Sequence, residues 1–190
     1  MVKKIGLISV LSLACVGLVF AANSILIDDF NTAEKPNRIG GDLGVWNKDP
    51  DDLTQGCSMT FDGAIRNRDS GYSLRLDYDV DSPNAAYCGF WTKLQKADFS
   101  KLRNLVINIK GDERSGFTTQ VKLELKNSRN ETGAYLLSGI TRNWKEFVIP
   151  LSEFNGLTNL SSMEELVITF DDINATVKKG TLYIDDISVN

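Results

Sequence analysis

The chain has 190 residues, 24% of them charged and 42% hydrophobic, with a formal net charge of −4 and no histidine. That length suits one domain, and the composition is that of a folded chain rather than a disordered or low-complexity one. Without histidine there is no Ser-His-Asp or Cys-His catalysis, no His-ligated zinc or iron, and no imidazole base near neutral pH. Carboxylate chemistry, oxygen-ligated cations such as calcium, and binding without chemistry are what is left.

The first element is a targeting segment. Lys3 and Lys4 precede an apolar run over residues 5–20, and Val19-Phe20-Ala21 suits cleavage after Ala21. Residues 1–21 therefore read as a secretory signal peptide and residues 22–190 as one domain, placing the protein outside the cell or in a periplasm. The run is short for a membrane span and lacks a basic stop-transfer flank. Lipoprotein anchoring at Cys15 is the weaker alternative, because Ser12 stands where a large aliphatic is usual. Cleavage removes two lysines and no acid, leaving 19 basic against 25 acidic residues, a net charge of −6. No Lys/Arg-rich stripe stands out, which argues against a nucleic-acid partner. Cys57 and Cys88 remain in a chain sent to an oxidising compartment, where a disulfide is the economical reading. A catalytic thiol would lack its histidine.

Beyond the signal the dominant period is two. Val121-Lys122-Leu123-Glu124-Leu125-Lys126 alternates without a fault, as does the segment 73–80, so both predict strands with one buried and one wet face. Residues 25–27, 88–94, 105–109, 147–151, 166–170 and 182–189 are further β-branched or aromatic-rich runs. Turn residues separate them: Gly40-Gly41, Pro50-Asp51-Asp52, Asp62-Gly63, Ser82-Pro83-Asn84, Gly111-Asp112 and Lys179-Gly180. One helical turn is expected within residues 161–166. Eight or more strands with one-sided patterning predict an all-β fold, an antiparallel β-sandwich or jelly roll.

Several segments in order resemble the galactose-binding-like jelly roll of secreted carbohydrate-binding modules. They are Ile25-Leu26-Ile27-Asp28-Asp29-Phe30-Asn31 with Asn37-Arg38-Ile39-Gly40-Gly41 and Trp46; Tyr87-Cys88-Gly89-Phe90-Trp91; and Asp98-Phe99-Ser100 through Ile109-Lys110-Gly111-Asp112. Trp144-Lys145-Glu146-Phe147-Val148-Ile149-Pro150-Leu151-Ser152-Glu153-Phe154 and the closing Gly180-Thr181-Leu182-Tyr183-Ile184-Asp185-Asp186-Ile187 complete the set. The same outline is similar to the complex I intermediate-associated domain, so fold alone does not fix the ligand.

The resemblance implies a structural calcium where the first and last strands meet, with Asp185, Asp28, Asp29 and Asn31 as ligands; Asn31 stands where relatives often carry glutamate. For ligand binding the strand around residue 90 is the first choice. Residues 87, 89, 91 and 93 share a face opposite Cys88, Phe90, Thr92 and Leu94, which turns Tyr87 and Trp91 outward as platforms for sugar rings. Lys122, Glu124 and Lys126 on the wet face of the 121–126 strand and Arg75 with Asp77 on the 73–80 strand are the polar candidates, and Tyr135 is open to either role. Trp46 and Trp144 read as structural. The leading expectation is a non-catalytic polysaccharide-binding module, a homo-oligomer or part of a surface assembly. A protein-interaction module on the same fold is the runner-up, and a carboxylate-dependent glycoside hydrolase or lyase the third reading. No Glu-x-Asp-x-Glu run occurs to support the last.

Overall fold

In the computed structural model, which describes residues 24–190, eleven strands build two antiparallel sheets. The expected signal peptide and Cys15 lie outside the described residues. In chain order the strands are β1 (Ile25–Asp28), β2 (Leu43–Asn47), β3 (Gly56–Asp62), β4 (Ser73–Asp79), β5 (Tyr87–Ala97) and β6 (Asn104–Gly111). They continue with β7 (Gln120–Asn127), β8 (Thr132–Ser138), β9 (Lys145–Pro150), β10 (Met163–Asp171) and β11 (Lys179–Val189). One sheet runs β3-β4-β11-β6-β9, with β1 added beside β11; the other runs β2-β5-β10-β7-β8. Chain neighbours such as β9 and β10 lie in different sheets, which is the Greek-key habit of a β-sandwich.

The period-two patterning decides which face each strand buries. Leu74, Leu76 and Tyr78 of β4 and Leu182, Ile184 and Ile187 of β11 face Phe90 and Leu94 of β5, Leu123 and Leu125 of β7, and Ile168 and Phe170 of β10. Each such side chain stabilises the fold by about 1.5–3 kcal/mol on removal from water. Tyr78 and Phe170 join the two sheets through a stack, ring centroids 4.2 Å apart and planes 4° from parallel. The Tyr78 hydroxyl, carried into that core, donates to the Val177 carbonyl at 3.0 Å and accepts from the Thr118 N–H at 2.6 Å. Its polar end is therefore satisfied.

Three strands exceed the sequence expectation: β2, β3 and β8. The helical turn expected within residues 161–166 is instead the start of β10, where Met163 is paired on both sides, to Ala97 and Asn127. Among the described residues a single 3-10 turn occurs, at Leu151–Glu153 directly after β9. No helix among the described residues is long and apolar enough to cross a membrane.

Candidate functional site

Antiparallel register turns the wet side of the second sheet into an ordered grid. One row across β7, β10 and β5 reads Lys126, Glu165, Lys93. The next reads Glu124, Val167, Trp91 and, on β2, Gly44. The third is Lys122, Thr169, Gly89 and Trp46, and the fourth begins with Asp171 and Tyr87. Successive rows are two residues apart, so the four rows cover about 20 Å along the strands. Together they line a cleft of about 750 Å³, walled further by Ala85, Asp172, Ile173 and Asn174.

Two glycines let the tryptophans lie over neighbouring strands. A Cβ on Gly44 would meet the Trp91 indole at 2.9 Å, so the ring occupies the space a side chain on β2 would take. A Cβ on Gly89 would sit 3.1 Å from the Trp46 indole nitrogen and 2.2 Å from the Ile168 carbonyl oxygen. Trp46 meets Tyr87 edge-on, with centroids 5.7 Å apart. The result is an aromatic wall of Trp46, Tyr87 and Trp91 along one side of the cleft. Ile173, 88% exposed, stands on the turn after β10. That turn is fixed by Asp171, whose carboxylate accepts from the Ile173 and Asn174 N–H groups and from the Asn174 side-chain amide.

The polar side of the cleft is internally paired. Glu165 accepts from Lys93 at 2.5 Å and from Lys126 at 2.8 Å, bridging β5 and β7 across β10. Lys122 and Glu124 pair at 3.0 Å. Burial pushes the Glu165 carboxyl up, but the two lysines outweigh it and hold the group below its ordinary value of 4.5. Lys93 also lies 5.3 Å from the Trp91 centroid, and Lys48, anchored on the Ala85 carbonyl at 2.8 Å, lies 5.4 Å from that of Tyr87. Flat apolar rings beside held donors and acceptors match a sugar's C–H faces and hydroxyls. A glycosidase acid needs the opposite electrostatics, a carboxyl held protonated.

Residues 44–190 match the family described as carbohydrate binding domain 30. The chain belongs to that family. No curated protein is significantly similar in sequence. Among solved structures, a family 11 carbohydrate-binding module from Clostridium thermocellum, in complex with a β-1,3-1,4-mixed-linked tetrasaccharide, aligns with a TM-score of 0.65 at 17% identity, covering 90% of this chain and 96% of that one. The family 30 module of a cellulosomal cellulase of the same organism aligns at 0.60 and 16% identity, covering 88% and 97%. An exo-β-agarase aligns at 0.60 and 16%, covering 87% of this chain but 24% of the enzyme. These likenesses show the β-sandwich fold, and the family is one of carbohydrate-binding domains.

Within this family 30 domain, Tyr87, Trp91, Lys122, Glu124 and Lys126 from the sequence reading share one face of one sheet, though Lys126 also borders a recess beyond the Glu165 row. Arg75 does not join them. It lies on the first sheet, paired with Asp77 at 2.8 Å, because β4 belongs to the other layer. Tyr135 faces the interior and packs on Phe154 at 5.9 Å, since β8 register sets it opposite Leu123. Trp46, expected as a structural residue, lines the cleft, whereas Trp144 stays outside it. Sequence reasoning also missed Glu165, Thr169 and Asp171. Their alternation was there, but Val167 between them made β10 read as uniformly apolar.

The expected calcium ligands do gather where β1 pairs β11, but with other partners. Asp28 accepts from the Phe30 N–H at 2.9 Å, and Asp29 from Arg38 Nε at 2.7 Å. Asp185 accepts from the Asn67 N–H at 3.0 Å, and Asp186 accepts from Arg68 Nε at 3.1 Å, with a terminal nitrogen of the same guanidinium ion-paired at 2.7 Å. Asn31 holds its amide oxygen against Gly71, where a Cβ would meet it at 1.6 Å. Among the described residues no three Cys, Asp or Glu side chains come together to hold a metal ion. Arginines are already paired with Asp29 and Asp186, so an ion could use these carboxylates only by displacing them, although Asp186 Oδ1 is itself buried without a hydrogen bond.

The two cysteines, expected as a disulfide, are free thiols in this structure. Both are buried, one on each sheet, and the Cys88 thiol beside Cys57, together with burial, pushes the Cys57 thiol up.

Proposed function

We propose that this domain is a secreted, non-catalytic module that binds a neutral β-glucan chain in the cleft over β2, β5, β10 and β7. The observation that carries the reading is the aromatic wall of Trp46, Tyr87 and Trp91, set beside charged groups that are already paired. Stacking on such rings is worth about 1 kcal/mol each beyond area, enough for weak, reversible capture of a polysaccharide. Paired lysines and glutamates keep their hydrogen-bonding atoms in place, and near-neutrality favours an uncharged glycan over an acidic one. The mixed-linked tetrasaccharide held by the family 11 neighbour makes β-1,3-1,4-glucan the first ligand to try.

The amino-terminal segment supports export, and export would oxidise the Cys57–Cys88 pair to a disulfide between the two sheets. The deciding experiment is affinity electrophoresis of the protein through gels containing mixed-linked β-glucan, xyloglucan, or an acidic polysaccharide such as polygalacturonate. Retardation by a neutral β-glucan, and not by the acidic polymer, is expected. Uniform mobility in all gels would reject carbohydrate binding at this cleft and leave a protein-interaction module as the better account.

A further inference from the structure

The junction of β1, β11 and the loop between β3 and β4 is where the resemblance implies a divalent cation. Three arginines sit there instead. Arg38 Nε donates to Asp29 at 2.7 Å. Arg68 approaches both carboxylate oxygens of Asp186, Nε at 3.1 Å and a terminal nitrogen at 2.7 Å, a two-point grip that a planar guanidinium makes well. Arg66 turns back into its own loop and donates to the Gly63 carbonyl and, at 2.8 Å, to the Asp69 carbonyl. Those loop oxygens are the kind a calcium ion would otherwise recruit.

Backbone geometry commits the acids to this arrangement. The β11 ladder is interrupted between Asp185 and Ser188, and Asp186 takes a left-handed φ of 49°. The irregularity carries Asp185 to the Asn67 N–H at 3.0 Å, while the Asn67 side-chain amide donates to Asp186 at 3.1 Å. On the β1 side the ladder also shifts, between Leu26 and Asp28. Arg38 is thus committed to Asp29, and Arg68 and the Asn67 amide to Asp186, while Asp186 Oδ1 meets Arg68 through an ion pair without a hydrogen bond. A calcium ion brought here would meet the positive charges of Arg38 at Asp29 and Arg68 at Asp186.

We infer that Arg38 and Arg68 hold the β1–β11 junction in the role a structural calcium would have, so that the domain is stable without any divalent cation. The inference concerns the scaffold and does not depend on which glycan fills the cleft. Thermal unfolding of the purified protein, with millimolar CaCl₂ and separately with a chelator, reads it directly. The wild-type midpoint is expected to be the same in both buffers, and Arg68→Gln and Arg38→Gln each to lower it by several degrees. Arg68→Lys, which keeps charge but loses the two-point grip, should recover part of that loss. A wild-type midpoint raised several degrees by calcium overturns the inference, as does an Arg68→Gln midpoint equal to wild type. If Arg68→Gln fails to fold, Arg38→Gln and the wild-type calcium response still decide. Glycan binding is absent from every readout, so failure of the cleft reading leaves the outcome intact.

Discussion

Trp91 and Glu165 show how single side chains set the properties of the cleft. Trp91→Ala removes a stacking surface without touching the buried face of β5, where Phe90 and Leu94 are fully buried. A loss of about 1–2 kcal/mol, or roughly 5- to 30-fold in affinity, is expected for β-glucan. Trp46→Ala should act alike, since its ring lies over Gly89 in the same wall. Glu165 acts through others: it holds Lys93 and Lys126 in place. Its lowered carboxyl value means the folded, ion-paired state is favoured above the ordinary 4.5, and that advantage disappears as pH falls through the lower folded value. Isothermal titration should therefore show affinity flat above the ordinary carboxyl value of 4.5 and falling only below it. Glu165→Gln should bind several-fold more weakly at neutral pH and lose the acidic fall. A fall already present at pH 6 would contradict the triad's role.

The strands that carry the cleft were legible to different degrees, and for physical reasons. β5 and β7 alternate cleanly because one face packs on the core and the other meets water, so the outward direction of Tyr87, Trp91, Lys122 and Glu124 is legible in the sequence. β10 is central, with Val167 only 2% exposed among the cleft residues, and its wet face was hidden. β2 and β3 are edge strands whose pairing comes from partners far away in sequence, a thing no local period records. Arg75 failed for a related reason: alternation says that a residue faces outward but not from which layer. The glycines offer a test at this level. Gly44→Ala places a Cβ 2.9 Å from the Trp91 ring, which can tilt aside, so binding should weaken several-fold with little change in melting temperature. Gly89→Ala instead forces a Cβ to 2.2 Å from the Ile168 carbonyl within the β5–β10 ladder, and should cost about 2 kcal/mol or more of stability by denaturant titration. Equal effects of the two substitutions on stability would contradict this division.

Over the molecule as a whole, the sandwich followed from strand patterning and motif order, and the meeting of β1 with β11 from the family resemblance. The charge balance at that meeting did not, because pairing of Arg38 and Arg68 with acids 9 and 118 residues away depends on loop paths. Cys57 and Cys88 lie on opposite sheets, so closing their bridge ties the two layers together and should stabilise the fold by about 3–4 kcal/mol on the chain-entropy account. Protein recovered from an oxidising compartment should carry no titratable thiol, and reductant should lower its melting temperature by several degrees; two free thiols in that material would rule the bridge out. The central claim, that the outer face of β2, β5, β10 and β7 is a glycan-binding surface, is tested most directly by calorimetric titration of mixed-linked β-glucan into wild type and Trp91→Ala. The account predicts saturable wild-type binding, weakened several-fold in the variant at an unchanged melting temperature; equal affinities, or no wild-type binding to any neutral glucan, would contradict it.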